Sequence, residues 1–105
     1  MSSARVVLVT VPRGGKAEAL AEGAVEARLA ACVNILPGAV SFYRWKGRVH
    51  RDEESLLVLK TTASRLKALE RWIVERHPYE LPEFLVLPVG AGSKEYLAWL
   101  AEQVS

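Results

Sequence analysis

Two runs of strand-forming residues meet at Lys46-Gly47, a pair suited to a two-residue hairpin turn. The first run, from Asn34 to Lys46, spans about 43 Å when extended at about 3.3 Å per residue. A chain of 105 residues folds to a radius of gyration of about 13 Å. The hairpin must therefore overhang the body that bears it. An overhang carrying Phe42, Tyr43 and Trp45 needs a partner, so the first expectation is assembly.

Around this hairpin the chain alternates between strand and helix signals. Arg5 to Val11 is β-branched and continuous, the pattern of a strand buried on both faces. Lys16 to Ala31 places Leu20, Ala24, Ala27 and Ala31 at helical spacing. Val33 to Trp45 is a second strand, with a bulge expected at Pro37-Gly38. Arg48 to Thr62 is a third, ending in the apolar run Leu56 to Leu59. Ser64 is placed to cap a helix from Arg65 to His77, with Leu66, Leu69 and Ile73 as its stripe, and Pro78 stops it. Glu83 to Val89 predicts a fourth strand. Ser93 opens a last helix bearing Tyr96, Leu97, Leu100 and Val104 on one face.

The order β-α-β-β-α-β-α predicts one α+β domain over residues 1–105. Proline cannot donate to a ladder and prefers edges. Pro37 puts the second strand at one edge, and Pro82 and Pro88 put the fourth at the other. The predicted sheet is antiparallel, order 4-1-3-2, a ferredoxin-like split βαβ arrangement. Two helices would cover one sheet face. Val6–Val11 and Leu56–Leu59 are apolar toward both, so another copy of the chain is expected to cover the second.

Composition narrows the partners. The formal charge of +2 neither requires nucleic acid nor forbids it. Arg44, Lys46, Arg48 and Arg51 interleave with Tyr43 and Trp45, a pattern that can bind single strands. It also guards edge hairpins, and Asp52-Glu53-Glu54 dilutes its field; no nucleic-acid partner is expected. Gly14-Gly15-Lys16 lacks the remainder of a phosphate-loop motif and reads as a turn. The apolar run Val6–Val11, ended by Pro12, is too short for a membrane span or a secretory signal. A single cysteine permits no disulfide within the chain and suits a reducing compartment. The expectation is a cytoplasmic protein with no membrane partner.

Leu29-Ala-Ala-Cys-Val-Asn-Ile-Leu-Pro-Gly38, Tyr43-Arg-Trp-Lys-Gly47, Leu59-Lys-Thr-Thr62, His77-Pro-Tyr-Glu-Leu-Pro-Glu83 and Tyr96-Leu-Ala-Trp99 resemble, in order and nearly end to end, the CutA divalent-cation tolerance family. The resemblance implies a ferredoxin-like subunit in a tight homotrimer, with hairpins reaching across to neighbours, and a role in tolerance of divalent metals, chiefly copper. The fold also resembles the nitrogen-regulatory signalling proteins, which bind small effectors between subunits.

Two constellations follow. By resemblance, Cys32 and His77 are metal ligands; thiolate suits copper(I) and imidazole copper(II), and no cofactor is expected to be needed for folding. The chain departs from relatives that have a second cysteine, at the position of Val9, and paired histidines, where it has Arg76-His77. The alternative is that Cys32 is a small buried hydrophobe and His77 a helix-end residue. The second constellation is Trp45, Lys60, Tyr79 and Glu83, with Glu53 or Glu54 beside them. Lys60 follows a buried strand and needs a carboxylate; Glu83 of an adjacent subunit is the candidate. Such a cleft would suit a small anionic or aromatic ligand, or else lock subunits together. No third group is available to orient Cys32 and His77 as nucleophile and base, so no enzymatic activity is expected.

Overall fold

The computed structural model describes residues 2–105. It contains β1 (Ala4–Pro12), α1 (Lys16–Glu26), β2 (Cys32–Trp45), β3 (Arg48–Thr62), a 3-10 turn (Ala63–Arg65), α2 (Leu66–Arg76), β4 (Leu85–Pro88) and α3 (Lys94–Gln103). One four-stranded sheet is ordered β2-β3-β1-β4, and all three pairings are antiparallel. Pro37 and Pro88 therefore lie in edge strands, where a missing N–H costs no ladder bond.

Side chains alternate across this sheet. Val7, Val9 and Val11 of β1 and Leu57 and Leu59 of β3 point to one face. There they bury against Leu20 and Ala24 of α1 and Leu69 and Ile73 of α2. The opposite face carries Val6 and Leu8, which pair with Lys60 and Val58 on one side and Leu87 and Leu85 on the other. Leu36 and Leu56 extend it toward β2. α3 covers only one end, where Leu100 and Val104 bury against Ala4 and Ala31. Leu36, Leu85 and Leu87 remain about half exposed. Full burial of one such aliphatic chain contributes about 1.5–3 kcal/mol, so this face holds a large stabilisation that one chain alone does not realise.

The hairpin leaves the body where β1 ends, at the Pro12–Glu54 pairing. Beyond it only β2 and β3 pair, from Ala39–Glu54 out to Trp45–Arg48. The molecule measures 44 × 25 × 23 Å as a result. Lys46 (φ 51°) and Gly47 (φ 80°) both take the left-handed conformation, as a type I′ turn requires. The ladder shifts register between Leu36 and Ala39, with Gly38 at φ 82°; the expected bulge is there.

Three boundaries differ from expectation. α1 ends at Glu26 rather than Ala31. Arg28 turns left-handed at φ 59°, and the N–H groups of Leu29 and Ala30 both donate to Ala24 O. Ala31 N–H already donates to Lys60 O at 2.8 Å, so entry into β2 claims the residues that α1 would need. Ser64 does not cap α2: it lies in the 3-10 turn, with its hydroxyl 3.2 Å from that of Thr62. β4 keeps only Leu85–Pro88, because Pro82 has no N–H to donate and Phe84 packs against the main core. Ser93 does cap α3, accepting from Tyr96 N–H at 3.3 Å.

Candidate functional site

His77 follows the last turn of α2 and is only 8% exposed. Its Nε2 lies 2.8 Å from Thr10 O, an acceptor, so Nε2 carries the proton. Its Nδ1 accepts from Tyr79 N–H at 3.1 Å. Both ring nitrogens are thus occupied by backbone groups, and neither offers a lone pair to a metal. The imidazole staples the segment after α2 to the central strand β1.

Cys32 lies elsewhere. It opens β2 opposite Lys60, whereas Thr10 pairs with Leu56. Four residues of β3 separate these points, about 13 Å along the strand. The structure does not bring Cys32 and His77 together, and no group of three or more His, Cys, Asp or Glu side chains placed to hold a metal occurs among the described residues. Cys32 Sγ is partly exposed and lies 3.8 Å from Lys60 Nζ. The same ammonium donates to Asn34 Oδ1. Tyr96 of α3 completes this corner; burial and the nearby Cys32 raise its pKa.

The second constellation is partly assembled. A cleft of about 590 Å³ opens along the hairpin, from Glu54 at its root to Trp45 near its tip, lined by Tyr43, Trp45, Glu54, Tyr79, Leu81 and Glu83 among others. Trp45, Tyr79 and Glu83 all line it. Lys60 does not: it stands at the Cys32 end of β3. Glu53 is also outside, bound to Arg13 at 2.6 Å on the surface, so Glu54 is the acid of the cleft. Tyr79 Oη donates to Glu54 Oε2 at 2.6 Å. Burial and that bond raise the Tyr79 pKa above the usual tyrosine range. Burial and the Glu54 charge likewise raise the pKa of Glu83. Tyr43, which the sequence places in the overhanging hairpin and its basic-aromatic stripe rather than in this constellation, donates to Asp52 and stacks on His50 with ring centroids 5.3 Å apart. Strand alternation was the available signal: Tyr43 and Trp45 share the face of Glu54.

The cleft is acidic and aromatic. Glu54, Glu80 and Glu83 line it against a single cation, Arg44. This charge balance disfavours the small anionic ligand expected from sequence. Phe42 and Leu81, also in its lining, are each 69% exposed.

A family model described as CutA1 divalent ion tolerance protein matches residues 5–103. The Divalent-cation tolerance protein CutA of Thermus thermophilus is 50% identical over 97 residues, 92% of this chain and 94% of that protein. Among solved structures, CutA of Xylella fastidiosa superposes with a TM-score of 0.96 at 38% identity, covering 99% of this chain and all of that one. CutA of Synechococcus elongatus gives a TM-score of 0.94 at 45% identity, covering all of this chain and 93% of that one.

Proposed function

The chain belongs to the CutA1 divalent ion tolerance family, and from that premise we propose that it acts in copper tolerance as a cytoplasmic homotrimer, by binding rather than by catalysis. The observation that carries the trimer is the aliphatic face of Val6, Leu8, Leu36, Leu56, Val58, Leu85 and Leu87. One chain leaves it open except where α3 crosses its end. A face of this kind marks an interface, and copies packed sheet to sheet would cover it.

Copper enters this reading through Cys32. It is the one thiol in the chain, soft enough for copper(I), and it opens an edge strand beside the face that the trimer buries. His77 takes no part, because its nitrogens are engaged. Calorimetric titration with copper(I) and copper(II) tests the assignment. Saturable binding at a fixed ratio per chain, lost in Cys32→Ser, supports it. Binding that is unchanged in Cys32→Ser removes Cys32 from the site, and absence of saturable binding removes copper from the function.

The cleft favours a second reading, a trimeric module that binds a small effector near Trp45, Tyr79 and Glu83. Its volume and aromatic lining are those of a small-molecule site. A metabolite that raises the melting temperature in the presence of chelator, and does not do so for Tyr79→Ala, supports it.

A further inference from the structure

Glu54 is a carboxylate only 5% exposed, and its side-chain hydrogen bond comes from the neutral Tyr79 hydroxyl. Among the described residues, no cation stands within ion-pair distance of it. The ion pairs among the described residues are Arg13–Glu53, Arg51–Glu53 and Arg76–Glu75. Glu83 opens on the same cleft without a cation, and Arg44, though it lines the cleft, pairs with neither. A carboxylate largely withdrawn from water is best compensated by a cation, and Glu54 has one neutral donor, Tyr79, while its other oxygen keeps contact with water in the cleft. The raised pKa of Glu83, pushed up by burial and by Glu54, reflects the same deficit.

Six residues along the same strand, about 20 Å away, Lys60 presents the converse. Its ammonium meets the neutral Asn34 Oδ1 and lies near Cys32 Sγ, with no carboxylate among the described residues within ion-pair distance. It rises from the aliphatic face that the single chain leaves open. Two charges of opposite sign without ionic partners among the described residues, fixed far apart on one strand, cannot pair with each other within a chain. They can do so between chains. In a closed ring of head-to-tail copies, one patch of each subunit meets a different patch of the next.

We propose that the Lys60 ammonium of one copy enters the cleft of the next and pairs with Glu54, so that the site of Trp45, Tyr79 and Glu83 is complete only at the junction between copies. The inference rests on the trimer reading above and moves the acid partner of Lys60 from Glu83, the residue suggested by sequence, to the more deeply buried Glu54. A ligand in this cleft touches two subunits.

A double-mutant cycle on assembly tests it. Lys60→Met removes the cation. Glu54→Gln removes the anion while its side-chain oxygen still accepts from Tyr79. Circular dichroism checks the fold, and sedimentation over a dilution series measures assembly. Each single change is expected to weaken assembly at least about tenfold, and the double variant no further than the worse single, a coupling of about tenfold or more. The exchanged chain Lys60→Glu/Glu54→Lys is expected to assemble better than either reversal alone. Multiplicative effects without recovery in the exchanged chain overturn the pair and leave the trimer standing. A monomeric unmodified protein overturns the trimer and the pair with it.

Discussion

Replacing His77 by alanine separates a structural imidazole from a metal ligand. The side chain is buried and satisfies two backbone groups, the carbonyl of Thr10 at 2.8 Å and the N–H of Tyr79 at 3.1 Å. A buried group left without its partner costs about 1–3 kcal/mol. His77→Ala orphans one donor and one acceptor, so it is expected to destabilise the fold by about 2–5 kcal/mol, lower if water enters the gap. Two milder variants divide that sum. The asparagine oxygen stands near the position of Nδ1 and can still accept from Tyr79. The glutamine amide stands near that of Nε2 and can still donate to Thr10. Each is expected to recover part of the loss. The assay is urea unfolding in chelator at one protein concentration, followed by circular dichroism. If His77→Ala unfolds at the same midpoint as the unmodified protein in chelator, and only the unmodified protein gains stability from copper, the backbone assignment is refuted and the imidazole is a ligand after all.

Three further outcomes follow from the same structure. Gly23→Ala in a helix interior ordinarily stabilises by about 1 kcal/mol, but its Cβ would stand 2.7 Å from two ring atoms of Trp72, an overpacking that costs about 1–3 kcal/mol; thermal unfolding is expected to show no gain and a net loss of up to about 2 kcal/mol. Tyr79→Phe deletes the donor to Glu54 and is expected to cost about 1–3 kcal/mol at pH 8. The Tyr79 pKa is raised well above 10.0 in the fold, so its contribution is complete below about pH 10 and declines progressively at higher pH; the gap between the urea midpoints of the two proteins should hold up to about pH 10 and begin to narrow by about pH 11, and a gap that does not narrow would contradict the assignment. Trp45→Asp puts a charge on the overhanging hairpin and is expected to shift the light-scattering mass toward the monomer at micromolar concentration; an unchanged mass would mean that the hairpin tip lies outside the interface.

The hairpin was legible because its signals are local. Lys46-Gly47 fixes a turn by backbone geometry, and Pro37-Gly38 fixes a bulge within the same strand. The helices and the four-stranded α+β plan were legible for a related reason, since periodicity of 3.6 or 2 states which face is buried. The end of α1 was not. Ala27 to Ala31 continues a helical pattern, and only the long-range bond from Ala31 to Lys60 shows why the helix yields. The site suffered in the same way. Cys32 and His77 each carry suggestive chemistry, but whether they meet depends on strand register, which composition does not encode. Lys60 and Glu54 lie on one strand, and alternation alone places them on one face; their lack of partners appears only once every neighbouring side chain is in place. Tyr43 was assigned to a basic stripe because its nearest sequence neighbours are charged, whereas its cross-strand neighbours are His50 and Asp52.

The central position of β1 has a consequence for synthesis. Its ladder partners, Glu54 to Thr62 and Leu85 to Pro88, lie more than forty residues later in the chain. At about 5–20 residues per second, translation takes several seconds to deliver them. For that interval the run from Val6 to Val11 is a bare, β-branched segment with no neighbour to pair with, while the β2–β3 hairpin can close as soon as it emerges. The strand that ends up at the centre of the sheet is thus the one that waits longest for its first partner during synthesis, and the one that a ribosome-associated chaperone would have most reason to hold.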